Sequence, residues 1–416
     1  MGLGLLNWKM HPQAITQPQE DDRDYKLRFA SDGTFQITVF SDLHLAEHES
    51  EVKGPAQDLR TVAVVEKVLD HESNSQLVVL NGDLVSGYGT VADNVTSYLD
   101  EIVSPIVKKQ LPWASTYGNH DHQRYANSSK IYDREKTYNN SLTQRMVPGD
   151  PEDVGVSNYY LPVYAADGTP NVPEVILWFF DSRGGQYLRD GENRQDWVHA
   201  SVVEWFKQKN SELTHRYGKT IPSLAFFHIP IAAAHYFQKN PGVDPSKEPG
   251  QNLEPVVWQG QMYDNKTGHD VEFMRALSKT DGLLATFSGH DHCNDWCFKW
   301  TDDLPGQDVP GNNVNVCYGR HSGYGGYGHL ARGGRHIVLK KDTLQKEVVT
   351  WIRLEDGWIT ENVTLNATYG HDEYHPVPVH LELKRSTAES IGDGLTPGIN
   401  SALLFLLLAF FLQLRF

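Results

Sequence analysis

Residues 112–121 read PWASTYGNHD, a short apolar run with strand propensity that ends in Gly118-Asn119-His120-Asp121. A four-residue string of this kind is expected by chance in about one chain in a hundred. A plain Asn-His turn would account for its composition but not for its position at the end of a strand. Working outward, the same arrangement recurs. FQITVF (35–40) leads to Asp42-Leu43-His44, LVVLN (77–81) to Gly82-Asp83, LAFF (224–227) to His228, and LLATFS (283–288) to Gly289-His290-Asp291-His292. Proteins that alternate strands and helices carry their working loops just beyond the carboxyl ends of the strands.

This spacing predicts an α/β architecture. Strands are expected at 35–40, 77–80, 113–117, 175–180, 223–227, 283–287 and 313–318, with helices over 57–71, 92–109 and 194–209. The last third, 336–364, turns β-rich (HIVLKK, KEVVTWIRLE, GWITENVTL). Two mixed β-sheets packed between helices fit that order. With no internal repeat and no linker splitting the centre, residues 33–370 are expected to form a single catalytic domain. A loose polar leader (1–32) is expected before it, and a polar linker (371–400) and an apolar tail (401–416) after it.

The 416 residues are 39% hydrophobic and 22% charged, enough for a substantial core. The formal net charge of −16 argues against a nucleic-acid partner, since backbone phosphates need a field of Lys and Arg. A small anion remains admissible, because bound metal ions invert the local sign. Cys293, Cys297 and Cys317 permit at most one bridge, and the residues alone leave the pairing open.

Each motif is weak by itself. Asp-x-His occurs about once by chance in a chain this long, and Gly-Asp after a strand is usually a turn or a cap. A lone His such as His228 is more often a satisfied core residue than a ligand. Two imidazoles two residues apart on one loop are a more specific metal signal. Together, Asp42, His44, Asp83, Asn119, His228, His290 and His292 offer oxygen and imidazole donors without thiolate, a set suited to Mn²⁺, Fe or Zn²⁺. A carboxylate shared by two ions would hold them about 3.5–4 Å apart, the spacing that activates water.

The order D-x-H, G-D, G-N-H-D, H, G-H-x-H resembles the calcineurin-like metallophosphoesterases over most of residues 36–340. The runs GHDHCNDWC (289–297) and NVCYGRHSGYGGYG (315–328), HIP at His228 and FFDS at Asp181 are similar to a subgroup, the fungal cell-cycle-regulator phosphatases and plant purple acid phosphatase-like proteins. The resemblance implies a four-layer αββα fold. It also implies two metal ions, one held by Asp42, His44 and His292, the other by Asn119, His228 and His290, with Asp83 bridging. His120 would act as general acid and Asp121 would orient or polarise it. The implied reaction is hydrolysis of phosphate monoesters, phosphoproteins among them, by in-line attack of a hydroxide held between the ions. A Cys297–Cys317 bridge with Cys293 free is implied as well. One position departs from the pattern: purple acid phosphatases place a tyrosine ligand three residues after the G-D aspartate, and here that residue is Ser86, which predicts a colourless enzyme. A phosphodiesterase of the same fold, and a non-catalytic surface binding protein that keeps the fold, are the competing readings.

Several other segments bear on function. The glycine-rich stretch 319–328 lacks the Gly-Lys-Ser/Thr end of a phosphate-binding loop, and is expected to bring Arg320, His321 or Tyr327 near the substrate mouth. His235 is expected to be structural. Six Asn-x-Ser/Thr sequons, at Asn94, Asn127, Asn139, Asn265, Asn362 and Asn366, suit a secreted or cell-surface protein. The tail SALLFLLLAFFLQL (401–414) is short for a membrane span, which needs about 20 residues, but suits a lipid-anchor signal or membrane attachment. The amino terminus carries no evident signal peptide, and Leu6 stands where a myristoylation site needs Ser or Thr.

Overall fold

The computed structural model describes residues 26–90, 94–167 and 172–382. Its strands are β1 (Leu27–Arg28), β2 (Thr34–Phe40), β3 (Leu77–Asn81), β4 (Trp113–Thr116), β5 (Tyr159–Tyr164), β6 (Pro173–Phe179) and β7 (Ser223–Phe226), then β8 (Leu283–Ser288), β9 (Cys297–Trp300), β10 (Val314–Tyr318), β11 (Gly333–Lys340), β12 (Val348–Leu354) and β13 (Ile359–Leu365). They form two mixed sheets, one of seven strands in the order β1-β5-β6-β7-β8-β10-β9 and one of six in the order β13-β12-β11-β2-β3-β4.

The expected strands read as nearly continuous apolar runs because both of their faces are covered. In β2 and β3, Phe35, Ile37, Val39, Leu77 and Val79 point between the sheets, where they meet Leu177, Phe179, Leu224, Phe226 and Phe287 of the facing sheet. Val78 and Leu80 face the other way, onto Val64, Val68, Leu99, Ile102 and Ile106 of the helices Lys53–His71 and Val95–Lys108. On the far side, Ile176, Trp178 and Ala225 meet Val202 and Phe206 of helix Ala200–Tyr217 and Phe273 and Leu277 of helix Val271–Ser278. The result is helices, sheet, sheet, helices. Each fully buried Phe, Ile or Val contributes about 1.5–3 kcal/mol to holding these layers together.

Some expectations need correction. The leader does not extend to residue 32: β1 pairs with β5, and Phe29 is buried between the sheets. Nor is 371–379 free linker, since Tyr374 N–H donates to Ser246 O at 2.8 Å and Gln251 Nε2 donates to Pro378 O at 3.1 Å. The compact unit runs through Val379; the second unit, His380–Phe416, is described only over 380–382. The apolar tail, the rest of the linker and residues 1–25 lie outside the described residues. Among the described residues no helix is long and apolar enough to cross a membrane. Strand β5 escaped the sequence reading because Pro162 interrupts it and its outward residues are only partly buried. Cys297 and Cys317 stand opposite each other in the β9–β10 ladder and are bonded, leaving Cys293 as a free thiol, the pairing the resemblance implied.

Candidate metal centre

Strands β2, β3 and β4 are neighbours and parallel, so Asp42 and His44, Asp83, and Asn119 and His120 leave one sheet at the same end. Strands β7 and β8 do the same in the other sheet, delivering His228 and then His290 and His292. Asn81, the last residue of β3, ties the two ends together: its Nδ2 donates to Phe227 O at 3.2 Å and Phe287 O at 3.3 Å, across the gap between the sheets.

Six of the seven predicted ligands are brought together there. Asp42, His44 and His292 form one group able to hold an ion, and Asp83, His228 and His290 form another. Asp83 also groups with His44 and His120, so its carboxylate is shared between the two halves. His228 Nε2 lies 3.0 Å from Asp83 Oδ2, and His44 Nε2 lies 3.6 Å from the same oxygen. His292 Nε2 is 3.6 Å from Asp42 Oδ1 and 3.2 Å from His44 Nε2.

Three of the imidazoles are oriented from behind. Nδ1 of His228 faces Asn81 O at 2.9 Å, Nδ1 of His292 faces Tyr327 O at 3.0 Å, and Nδ1 of His44 faces Ser86 Oγ at 3.0 Å. Each ring therefore turns Nε2 inward, where it could serve as a ligand atom. Ser86 and Asn81 are functional neighbours that the motif reading did not assign. The signal for Asn81 was a polar residue closing a wholly buried strand.

The backbone is shaped for this convergence. Asp42, His44, Asp83 and His290 all adopt left-handed φ angles of 58°, 48°, 52° and 76°. Such conformations cost non-glycine residues about 1–3 kcal/mol each and cluster where the surrounding structure dictates them. Here Asp83 O accepts from His44 N–H at 3.0 Å and Asp42 Oδ1 accepts from His290 N–H at 3.1 Å. Gly118 is required by close approach: a Cβ there would strike Asp83 Oδ1 and stand 2.7 Å from His228 Cδ2.

The donor set fits metal ions. Asn119 Oδ1 is buried with no hydrogen-bond partner among the described residues, although folded proteins rarely leave such an atom unpaired without reason. Burial acts to lower the His228 pKa, but Asp83 and Asp42 outweigh it and hold it up at about 10. Burial acts to raise Asp83, but attraction to His228 and His120 holds its carboxyl well below the usual range. Burial together with the His228 charge depresses His290 to about 3. Two buried carboxylates thus call for positive charge at a point where oxygen and imidazole donors meet.

Other predicted residues fall around this centre. The His120 ring, part-exposed, lies 4.7 Å from that of His44, and the main-chain N–H of His120 donates to Asp83 Oδ1 at 2.7 Å. Asp121 does not orient or polarise His120. It is fully buried and accepts from the N–H groups of Leu84, Val85 and Gly118 at 2.9 Å each, locking the Asp83 loop to the Asn119 loop. Backbone donors won because the turn at Gly118 folds this side chain inward. Of the glycine-rich stretch, Tyr327 alone reaches the mouth: it is half exposed and stacks on His292 at 4.1 Å. His321 is buried behind His292, its ring 3.9 Å away, and Arg320 is buried in an ion pair with Asp295. His235 packs on Trp258 at 3.9 Å, a structural role.

Comparison with known proteins agrees with this geometry. The profile of the family described as calcineurin-like phosphoesterase matches residues 35–294. Among curated relatives, "Probable inactive purple acid phosphatase 28" of Arabidopsis thaliana is 28% identical over 387 residues, covering 86% of this chain and 89% of that protein. "Phosphatase DCR2" of Saccharomyces cerevisiae is 28% identical over 339 residues, covering 79% of this chain and 55% of the yeast protein. Among solved structures, a dimetal phosphatase from Danio rerio covers 80% of this chain and 98% of its own, at 13% identity and a TM-score of 0.48.

Proposed function

The chain belongs to the calcineurin-like phosphoesterase family, and from that premise we propose that it is an active phosphomonoesterase with a dinuclear metal centre. The observation that carries this reading is the shared carboxylate of Asp83, which stands within ligand reach of His44 on one side and of His228 and His290 on the other. Asp42, His44 and His292 would hold one ion, Asn119, His228 and His290 the second, and Asp83 both. Such a pair, when bound, supplies Lewis-acid charge and lowers the pKa of water towards about 7.

The chain's own residues do the rest. Asp42 and Asp83 bring two negative charges, fewer than the four or more positive charges of two ions, which leaves the pocket attractive to a phosphate dianion in an acidic protein. The N–H of His120 pins the Asp83 carboxylate, while its part-exposed ring is free to protonate the departing oxygen, a contribution of about 10²–10⁴ in rate. Some relatives carry "inactive" in their names. Retention here of all seven ligand side chains and of His120 supports activity.

The test is metal content measured alongside hydrolysis of para-nitrophenyl phosphate and bis-para-nitrophenyl phosphate, with metal add-back. Two ions per chain and preference for the monoester are expected. Diester preference would mean a phosphodiesterase, and no turnover with any metal would mean a binding protein.

Passage through the secretory pathway is part of the same proposal. The Cys297–Cys317 pairing and the exposed sequons Asn139, Asn265 and Asn362 support it. A mass loss on treatment with an N-glycosidase would be the expected result, and an unglycosylated, cytosolic product would end it.

A further inference from the structure

The turn Asn119–His122 carries two of the residues assigned above, Asn119 to the second ion and His120 to the leaving group. One flank of that turn is held by Asp121. The other is held from the facing sheet, by the segment that follows β6.

Asp181 is the centre of that grip, and it is fully buried. Its N–H donates to Asn158 Oδ1 at 2.9 Å, and its Oδ2 accepts from Val156 N–H at 2.7 Å. Its Oδ1 accepts from Arg183 N–H at 2.8 Å and meets His122 Nε2 at 3.1 Å. On the far side of the His122 ring, Arg194 Nη1 stands 3.2 Å from Nδ1. A guanidinium can only donate, so Nδ1 accepts and Nε2 carries the proton that Asp181 receives. The ring is thereby held in one orientation.

The main chain follows the side chain. Gln186 N–H donates to His122 O at 3.1 Å. A Cβ on Gly184 would stand 2.7 Å from Asn119 Cβ, and one on Gly185 2.5 Å from Asn119 O. Ser182 reaches the neighbouring ligand: its Oγ accepts at 3.1 Å from the N–H of Ile229, the residue after His228. Asp181 and Ser182 therefore stand behind Asn119, His120 and His228. None of these hydrogen bonds reaches Asp42, His44 or His292.

We propose that Asp181 and Ser182 are positioning residues of the metal centre, which set the second ion's ligands and the His120 ring without binding either ion. This rests on the phosphomonoesterase reading above, but the strength with which each ion is held tests it separately from turnover.

The experiment is a chelator titration of two variants. His122→Phe keeps a ring in place but loses the proton given to Asp181, and Ser182→Ala removes one oxygen. In each, the ion held by Asn119, His228 and His290 should weaken about 10- to 100-fold, and the ion held by Asp42, His44 and His292 less than about threefold. With both ions saturating, His122→Phe should also lower kcat for glycerol 2-phosphate about tenfold more than for para-nitrophenyl phosphate, because the alkyl leaving group depends more on the proton from His120. His122→Gln, whose amide can donate to Asp181, should recover most of both losses. A general loosening of the fold moves neither contrast. Equal weakening of the two ions, or of neither, overturns the proposal and leaves the phosphomonoesterase reading intact. A wild type that binds two ions without turnover overturns that reading, and the contrast between the ions still decides the positioning role. A wild type that binds fewer than two overturns both. Should His122→Phe misfold, Ser182→Ala decides.

Discussion

Replacing Ser86 by alanine removes a single hydroxyl, 3.0 Å from Nδ1 of His44. His44 is 2% exposed, so water does not readily take the vacated place. A buried ring nitrogen left unpaired costs about 1–3 kcal/mol, and losing the partner that orients a ligand imidazole typically costs 10- to 100-fold in metal affinity. The two estimates meet near 2 kcal/mol, or about thirtyfold.

The loss should fall on one ion only. The other oriented imidazoles, His228 and His292, turn Nδ1 to the main-chain carbonyls of Asn81 and Tyr327 at 2.9 and 3.0 Å, which a change at residue 86 does not touch. The ion held through His44 should therefore weaken about thirtyfold, while the one held by Asn119, His228 and His290 changes less than about threefold. Competition with a chromophoric chelator, titrating the metal-stripped enzyme, resolves the two steps. Ser86→Thr keeps the hydroxyl and should keep the affinity. Equal weakening of both steps, or of neither, would refute the reasoning.

Three further perturbations separate roles that the sequence alone merges. His120→Ala should retain both ions and lose about 10²–10⁴ in kcat with alkyl phosphates, less with para-nitrophenyl phosphate, whose leaving group needs little protonation; a fall in metal content would make His120 a ligand instead. Asp121→Asn turns one acceptor oxygen into a donor against backbone N–H groups, so urea unfolding should show about 1–3 kcal/mol of lost stability, and an altered pH–rate profile with unchanged stability would contradict the structural role. Burial, only partly offset by Glu72, holds His336 near pKa 4, below its ordinary 6.5. The unfolded chain therefore takes up a proton that the folded chain refuses between pH 6.5 and 4, and stability should drop by up to about 3 kcal/mol as pH falls through that window. His336→Gln should flatten the slope, and an unchanged slope would exclude His336 as its source.

The sequence by itself determined the layered architecture and named the aspartates and histidines that the fold brings together. Both rest on local signals. Strands buried on two faces read as unbroken apolar runs, and the polar motifs follow them at once, where the chain leaves the sheet. Ligand chemistry was legible for the same reason, since aspartate, asparagine and histidine in those motifs carry their donor atoms wherever the fold takes them.

Only the tertiary structure decided which groups meet. Asn81 bridges to carbonyls 146 and 206 residues away, and His44 meets His292 across 248 residues, separations that no local pattern encodes. Asp121 looked like part of the chemistry because it adjoins His120 in the chain, yet its carboxylate turns to backbone N–H groups that the turn at Gly118 sets before it.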